Sequence, residues 1–81
     1  MGAFEDFKVR QEQYLAKAAV RGNKARNDLI FVKEILSFVK ELSSFKEQNN
    51  RTLDLNKRAT IVVWREYWLK FLESSPVKLA A

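Results

Sequence analysis

The sequence predicts an all-α fold, a small helical bundle built on an antiparallel α-hairpin. A seven-residue unit that starts with Phe and carries Lys-Glu is written nearly three times between residues 31 and 48. A second set of apolar residues, between positions 53 and 72, also recurs at spacings of three and four. Such spacing is typical of helices that pack lengthwise. We therefore expect helices at about residues 27-48 and 53-74 to form the hairpin.

Length and composition limit the domain organisation. The chain has 81 residues, of which 47% are hydrophobic and 31% charged, so it is too apolar for intrinsic disorder and long enough for one domain. Its longest apolar runs, at 29-32 and 61-64, are far shorter than the roughly 20 residues that span a bilayer. We expect a single helical domain over residues 1-77, a vector-derived tail at 78-81, and no membrane partner.

The absence of certain residue types excludes most kinds of catalytic and metal-binding site. The chain contains no Cys and no His, which excludes disulfides, thiolate and imidazole metal sites, and the commonest nucleophile and general base. It also has no Gly-rich phosphate loop or nucleophile elbow. We expect no enzyme activity, catalytic residue, metal, cofactor or small-molecule substrate. The lack of Cys fits the cytoplasm, or the host cytoplasm of a viral protein, and this composition is common among short phage, plasmid and bacterial accessory proteins.

The first predicted helix covers residues 3-21. Its apolar stripe is interrupted by Gln11, and Glu5 in its first turn and Arg21 in its last complement the helix dipole. Gly22 is a typical residue at which a helix stops. However, the apolar stripe continues in phase beyond Gly22 into the second helix. Two arrangements therefore stay open. In one the first helix folds back, and in the other it runs on into the second helix.

The second and third predicted helices share an aromatic core seam. Turn-forming residues at 48-52 separate the two helices, and Pro76 ends the third. The β-branched run at 60-63 would suit a strand, but the spacing of the apolar residues around it favours a helix. The predicted core seam consists of Phe31, Ile35, Phe38, Leu42, Phe45, Trp64, Tyr67, Trp68 and Phe71.

Charged residues predict the same register for the hairpin. In an antiparallel pair of helices, the position numbers of facing residues have a nearly constant sum. Three acids of the second helix and three bases of the third give sums that agree with those of the aromatic seam. The predicted ion pairs are Glu34 with Lys70, Glu41 with Arg65, and Glu47 with Arg58.

Apolar residues outside the seam predict an association surface. The candidate residues are Leu55, Ala59, Val62 and Leu69 on the third helix, and Phe4 and Phe7 on the first. Apolar rows left uncovered on a small domain usually mark a contact with another protein. We expect a non-enzymatic protein-protein interaction module that associates with itself or docks on a larger partner through helix faces. The alternative is a compact three-helix monomer whose stripes are imperfectly covered.

A ridge of basic residues supports a second hypothesis. The ridge consists of Arg10, Lys17, Arg21 and Lys24. Their spacing places them on one face of a helix that reaches residue 24, and the predicted register gives them no acidic partner. Because such a ridge can follow a phosphate backbone, the alternative function is a small basic helical nucleic-acid-binding protein. The same residues also fit solvated flanks of an apolar stripe, or partners for acids of another chain.

Overall fold

A computed structural model describes residues 2-77 of the chain as three α-helices and one 3-10 helix. The helices are α1 at Ala3–Arg21, the 3-10 helix at Gly22–Asn27, α2 at Leu29–Gln48, and α3 at Leu55–Ser74. Residues 2-77 contain no strand, so the prediction of an all-helical fold with three packed helices is confirmed. No helix in this range combines the length and the apolar character needed to cross a membrane. The proposed tail at 78-81 lies outside the described residues.

The chain reverses direction at Gly22, between α1 and α2. Gly22 has a φ of 58° and a ψ of −135°, a backbone conformation that suits glycine and is strained for other residues. Its N–H donates to the carbonyl oxygen of Ala18 and so ends α1. After the 3-10 helix, the side chain of Asp28 accepts a hydrogen bond from the Phe31 N–H and caps α2. The chain therefore folds back, and the alternative of one continuous helix is wrong.

Helix α2 lies at the centre of the bundle. Phe7, near the start of α1, has its ring centroid 5.0 Å from that of Phe45, near the end of α2. Phe31, near the start of α2, lies 5.7 Å from Phe71, near the end of α3. Helix α2 is therefore antiparallel to both neighbours. Its buried residues are Phe31, Val32, Ile35, Phe38, Val39 and Leu42.

The aromatic seam of α2 is divided between α1 and α3. Phe31 meets Trp68 of α3, with a centroid distance of 6.4 Å. Phe38 instead pairs with Phe7 and Tyr14 of α1, at 6.0 and 5.0 Å. Helix α1 therefore supplies aromatic neighbours of α2 that the predicted seam, drawn between the second and third helices, did not include. The reason is that nearly half the circumference of α2 is apolar, which is more than one neighbouring helix can cover.

Most of the predicted seam is buried. The fully buried members are Phe31, Ile35, Phe38, Leu42 and Trp68, and the half-buried ones are Phe45, Trp64 and Phe71. Tyr67 is the exception, because 50% of it is exposed. It directly precedes Trp68 and so lies about 100° away around the helix. Trp68 points into the core, whereas Tyr67 packs edge-on against it from the rim, at 4.8 Å.

The predicted ion pairs between α2 and α3 do not form among residues 2-77. Glu41 binds Arg10 of α1 rather than Arg65. Glu34 likewise lies against Lys17 of α1. The predicted register omitted α1, which folds back along α2 and presents its basic residues to these acids.

Candidate association surface

An exposed apolar row, the α3 stripe, consists of Leu55, Ala59 and Val62. Leu55 is 71% and Val62 37% exposed, and Ala59 is also exposed. Their spacings of four and three place all three on one side of α3. The buried core is formed by other residues, and none of the three belongs to it. No helix within residues 2-77 therefore covers the α3 stripe.

The stripe lies along a groove between α3 and the second half of α2, which we call the α2–α3 groove. Its larger part, of about 360 Å³, is lined by Ser43, Lys46, Glu47, Asn50, Val62 and Arg65. An adjoining part of about 260 Å³ shares three of these residues and adds Leu55, Arg58 and Ala59. The groove is open to solvent. We call the α3 stripe its apolar floor, and the polar and charged residues beside the stripe its walls.

Hydrogen bonds at the turn between α2 and α3 fix one end of the groove. The backbone N–H and the side-chain amide of Asn49 both donate to the carbonyl oxygen of Phe45, at 3.0 and 2.9 Å, and end α2. The side chain of Asp54 accepts a hydrogen bond of 2.8 Å from the Lys57 N–H and caps α3. The two walls therefore start from capped helix ends.

Cations dominate the rim of the groove. Lys46, Arg58 and Arg65 line it, against the single acid Glu47. None of the three cations forms a salt bridge with another residue in the described part of the chain. The Nε of Arg65 donates to Ser43 Oγ at 2.7 Å, whereas the buried Nε of Arg58 has no hydrogen-bond partner among residues 2-77. The rim is therefore positively charged, and its charge is not neutralised by internal ion pairs.

The basic ridge predicted to bind nucleic acid faces α2. Arg10 binds Glu41 with two hydrogen bonds, of 3.1 and 2.7 Å. Its guanidinium carbon also lies 4.9 Å from the ring centroid of Phe38, which is a cation–π distance. The hydrogen bond from Arg10 holds the pKa of Glu41 below its usual value. Arg10 is therefore part of the packing between α1 and α2.

Two further members of the ridge also have acidic partners. The Nζ of Lys17 lies 3.9 Å from a carboxylate oxygen of Glu34, and Arg21 binds Asp28. Lys24 is exposed, but it belongs to the 3-10 helix rather than to α1. The expectation of a basic ridge without acidic partners is therefore wrong, because the reversal at Gly22 brings the acids of α2 beside α1.

Three members of the predicted association surface take part in the packing of the bundle itself. The ring of Phe4 stacks on Trp64, with centroids 5.4 Å apart. Phe7 packs 5.0 Å from Phe45, and Leu69 is half-buried against the core. Phe4 and Phe7 therefore face the core, because α1 folds back onto the other helices, and Leu69 flanks the core instead of extending the exposed row. The α3 stripe is what remains of the predicted surface.

The cationic rim is the part of the site that the sequence prediction missed. The predicted register pairs Arg58 and Arg65 with acids of the second helix, so it does not place them beside the α3 stripe. A helical wheel shows that both residues flank Val62, at spacings of four and three. This pattern was available in the sequence as a signal for charges beside the stripe.

No protein-family model matches the chain, and neither a curated protein nor a solved structure matches it. A function must therefore be inferred from the residues of the chain itself. Among its described surfaces, the α2–α3 groove combines an exposed apolar row with charged side chains that have no internal ion partner.

Proposed function

We propose that the chain is a non-enzymatic protein-interaction module that associates through helix faces. The single observation that carries the proposal is the α3 stripe, whose three residues are exposed in a row while other side chains close the core. Removing apolar surface from water contributes about 25 cal/mol per Å². Covering the stripe with a helix is therefore favourable, and helix-in-groove docking is a common mode of recognition.

The arrangement of α2 and α3 supports this proposal. Phe31 packs against Trp68 and Phe71 across the two helices, which favours an antiparallel hairpin as the scaffold of a small bundle. Between α2 and α3, the backbones approach more closely than between α1 and either of them. The α2–α3 groove therefore lies between the two helices whose backbones are closest, and a site that is already formed costs less ordering on binding.

A matched pair of variants tests the proposal. Val62→Glu places a charge in the α3 stripe, whereas Val63→Glu places the same charge on the next residue, which is exposed on another side of α3. We expect the wild type and Val63→Glu to self-associate in light scattering, or to retain the same proteins in affinity capture. We expect Val62→Glu to lose these contacts while its circular dichroism stays helical. A monomeric wild type that retains no protein lost by Val62→Glu would contradict the proposal.

Adding DNA or RNA to the same measurement tests the alternative function. A gain in molar mass that disappears at high salt would support a nucleic-acid-binding protein. The structure gives this alternative less support than the sequence did, since Arg10, Lys17 and Arg21 of the ridge are engaged with acids of the same chain.

A further inference from the structure

We infer that the α2–α3 groove receives an acidic amphipathic helix of another protein rather than a second copy of this chain. This inference rests on the proposed function and adds the chemical class of the partner. It depends on the length of the apolar floor and on the charge of the two walls.

The floor has the length of about two helical turns. Leu55 and Val62 are seven residues apart on α3, which corresponds to about 10 Å along the helix axis. The exposed residue Glu66 follows on the same side, and the turn between α2 and α3 closes the other end. Ala59, in the middle, is small and lets a partner backbone come close. A short helix with apolar residues at spacings of three and four fits this floor.

The walls select for acidic side chains on that helix. Lys46 stands on the α2 wall, and Arg58 and Arg65 stand on the α3 wall. Arg65 uses its Nε to bind Ser43, which holds the guanidinium in place and leaves both Nη groups for a carboxylate. Guanidinium groups match the geometry of carboxylates and bind them through paired hydrogen bonds. A partner with Glu or Asp beside its apolar row would therefore supply the missing counter-charges.

The same charges disfavour a second copy in the groove. Pairing two α3 stripes face to face would bring the three rim cations of one copy against the three of the other. Glu47 lines the groove in each copy, and Glu66 lies beyond the end of the stripe, so the cations outnumber the acids. Like charges placed together across an interface are unfavourable, and the chain as a whole carries a net charge of +5. Charge complementarity therefore favours a different, acidic partner.

Synthetic peptides of about 15 residues, or four helical turns, test the inference with the full chain. The first peptide carries Leu and Ala at spacings of three and four, with Glu on both flanks. The second replaces each Glu by Lys, and the third scrambles the first. Fluorescence anisotropy should show binding of the first peptide only. Raising the salt concentration from about 50 mM to about 500 mM should weaken this binding, because the charges are near the surface.

Variants of the chain locate the binding in the groove. Val62→Glu should weaken the affinity for the acidic peptide by about tenfold or more, since it places an acid against the bound peptide. Arg65→Gln should weaken it by about two- to fivefold, as expected for one partly exposed ion pair. Lys24→Gln removes the same charge from the 3-10 helix at the opposite end of the bundle, and should leave the affinity unchanged.

The outcomes separate this inference from the proposed function. Equal binding of the Lys peptide would overturn the inference, because the sign of the partner's charge would then not matter. Equal effects of Lys24→Gln and Arg65→Gln would also overturn it, because the charges would then act without regard to position. If the acidic peptide does not bind but Val62→Glu still abolishes self-association, a second copy occupies the groove, and the inference fails while the proposed function stands. If Val62→Glu affects no association at all, both fail.

Discussion

The indole N–H of Trp68 donates a hydrogen bond of 2.6 Å to the side-chain oxygen of Gln11, inside the core between α3 and α1. Gln11 is only 5% exposed, and Trp68 is fully buried. A buried tryptophan requires an acceptor for its N–H. The polar residue that interrupts the apolar stripe of α1 therefore has a structural role, because it joins the first helix to the last.

Removing the Gln11 side chain should destabilise the bundle. Gln11→Ala leaves the Trp68 N–H buried without its acceptor, and we expect the free energy of unfolding to fall by about 1 to 3 kcal/mol. Urea denaturation followed by circular dichroism measures this change. Gln13→Ala is the matched control, since Gln13 is exposed on the same helix and should change stability by no more than about 0.5 kcal/mol. Similar losses for both variants would disprove the structural role of Gln11.

The pair of Arg10 and Glu41 should make stability depend on pH. The hydrogen bond from Arg10 lowers the pKa of Glu41 in the folded state. Its stabilising contribution is therefore complete above the unfolded-state pKa of about 4.3, and is lost as the pH falls through the lower folded-state pKa. Because the two side chains are 34% and 46% exposed, we expect this contribution to be at most about 1 kcal/mol.

Urea denaturation of the wild type and Glu41→Gln, at pH 7 and again at about pH 3, measures this contribution. The difference in unfolding free energy between the two proteins should be largest at pH 7 and should shrink at the lower pH. Glu47→Gln serves as the control, since Glu47 forms no salt bridge within residues 2-77. A difference between wild type and Glu41→Gln that is independent of pH would show that the pair does not stabilise the fold.

Two aromatic residues of the predicted seam should differ sharply in their importance. Phe38 is fully buried between Phe7 and Tyr14, so Phe38→Ala should lower the free energy of unfolding by about 3 to 5 kcal/mol. Tyr67 is half-exposed at the rim, so Tyr67→Ala should lower the free energy of unfolding by less than about half the amount that Phe38→Ala does. The urea midpoints of the two variants measure this, and equal losses would contradict the placement of Tyr67 outside the core.

Asp28 should contribute through two separate interactions. Its side chain caps α2 by accepting from the Phe31 N–H, and it also binds Arg21. Asp28→Asn retains a good capping residue and loses only the ion pair, whereas Asp28→Ala loses both. We expect the alanine variant to be less stable than the asparagine variant by about 1 kcal/mol, the usual contribution of a cap. Thermal denaturation of the two proteins measures the difference, and equal stabilities would show that the cap contributes nothing.

The positions of the helices follow from local features of the sequence. The predicted ranges of 3-21, 27-48 and 53-74 agree within two residues with Ala3–Arg21, Leu29–Gln48 and Leu55–Ser74. Apolar spacing, Gly22 and the polar run before α3 act over a few residues each, so they can be read without knowledge of the fold. The run at 60-63 is helical because the apolar spacing of the residues around it outweighs the β-propensity of its own residues.

The choice of partners between helices does not follow from local features. Glu41 can reach a base on either side of α2, whereas the predicted register considered Arg65 alone. Only the return of α1 along α2 decides in favour of Arg10. The register of the ion pairs and the expectation that the basic ridge lacks acidic partners were therefore wrong together, because both omitted the same contact between α1 and α2.

The candidate site was partly predictable. The row of Leu55, Ala59 and Val62 follows from its spacing, and all three residues are exposed. The cationic rim was not identified, because it combines Lys46 of α2 with Arg58 and Arg65 of α3. A groove between two helices depends on how closely and in which register they pack, which one stretch of sequence does not specify.

The reversal at Gly22 determines whether two copies of the chain exchange their first helices, which is domain swapping. No heavy atom lies within 4 Å of a Cβ built on Gly22, so the obstacle to Gly22→Ala is its backbone conformation, with φ at +58°. An alanine there favours straightening the chain into a single α1–α2 rod. In a straightened chain, Phe7 could reach Phe38 and Phe45 only on a second molecule. We predict domain-swapped dimers of Gly22→Ala in light scattering, even when Val62→Glu blocks the α3 stripe. One glycine would then decide whether α1 packs on its own chain or on a neighbour.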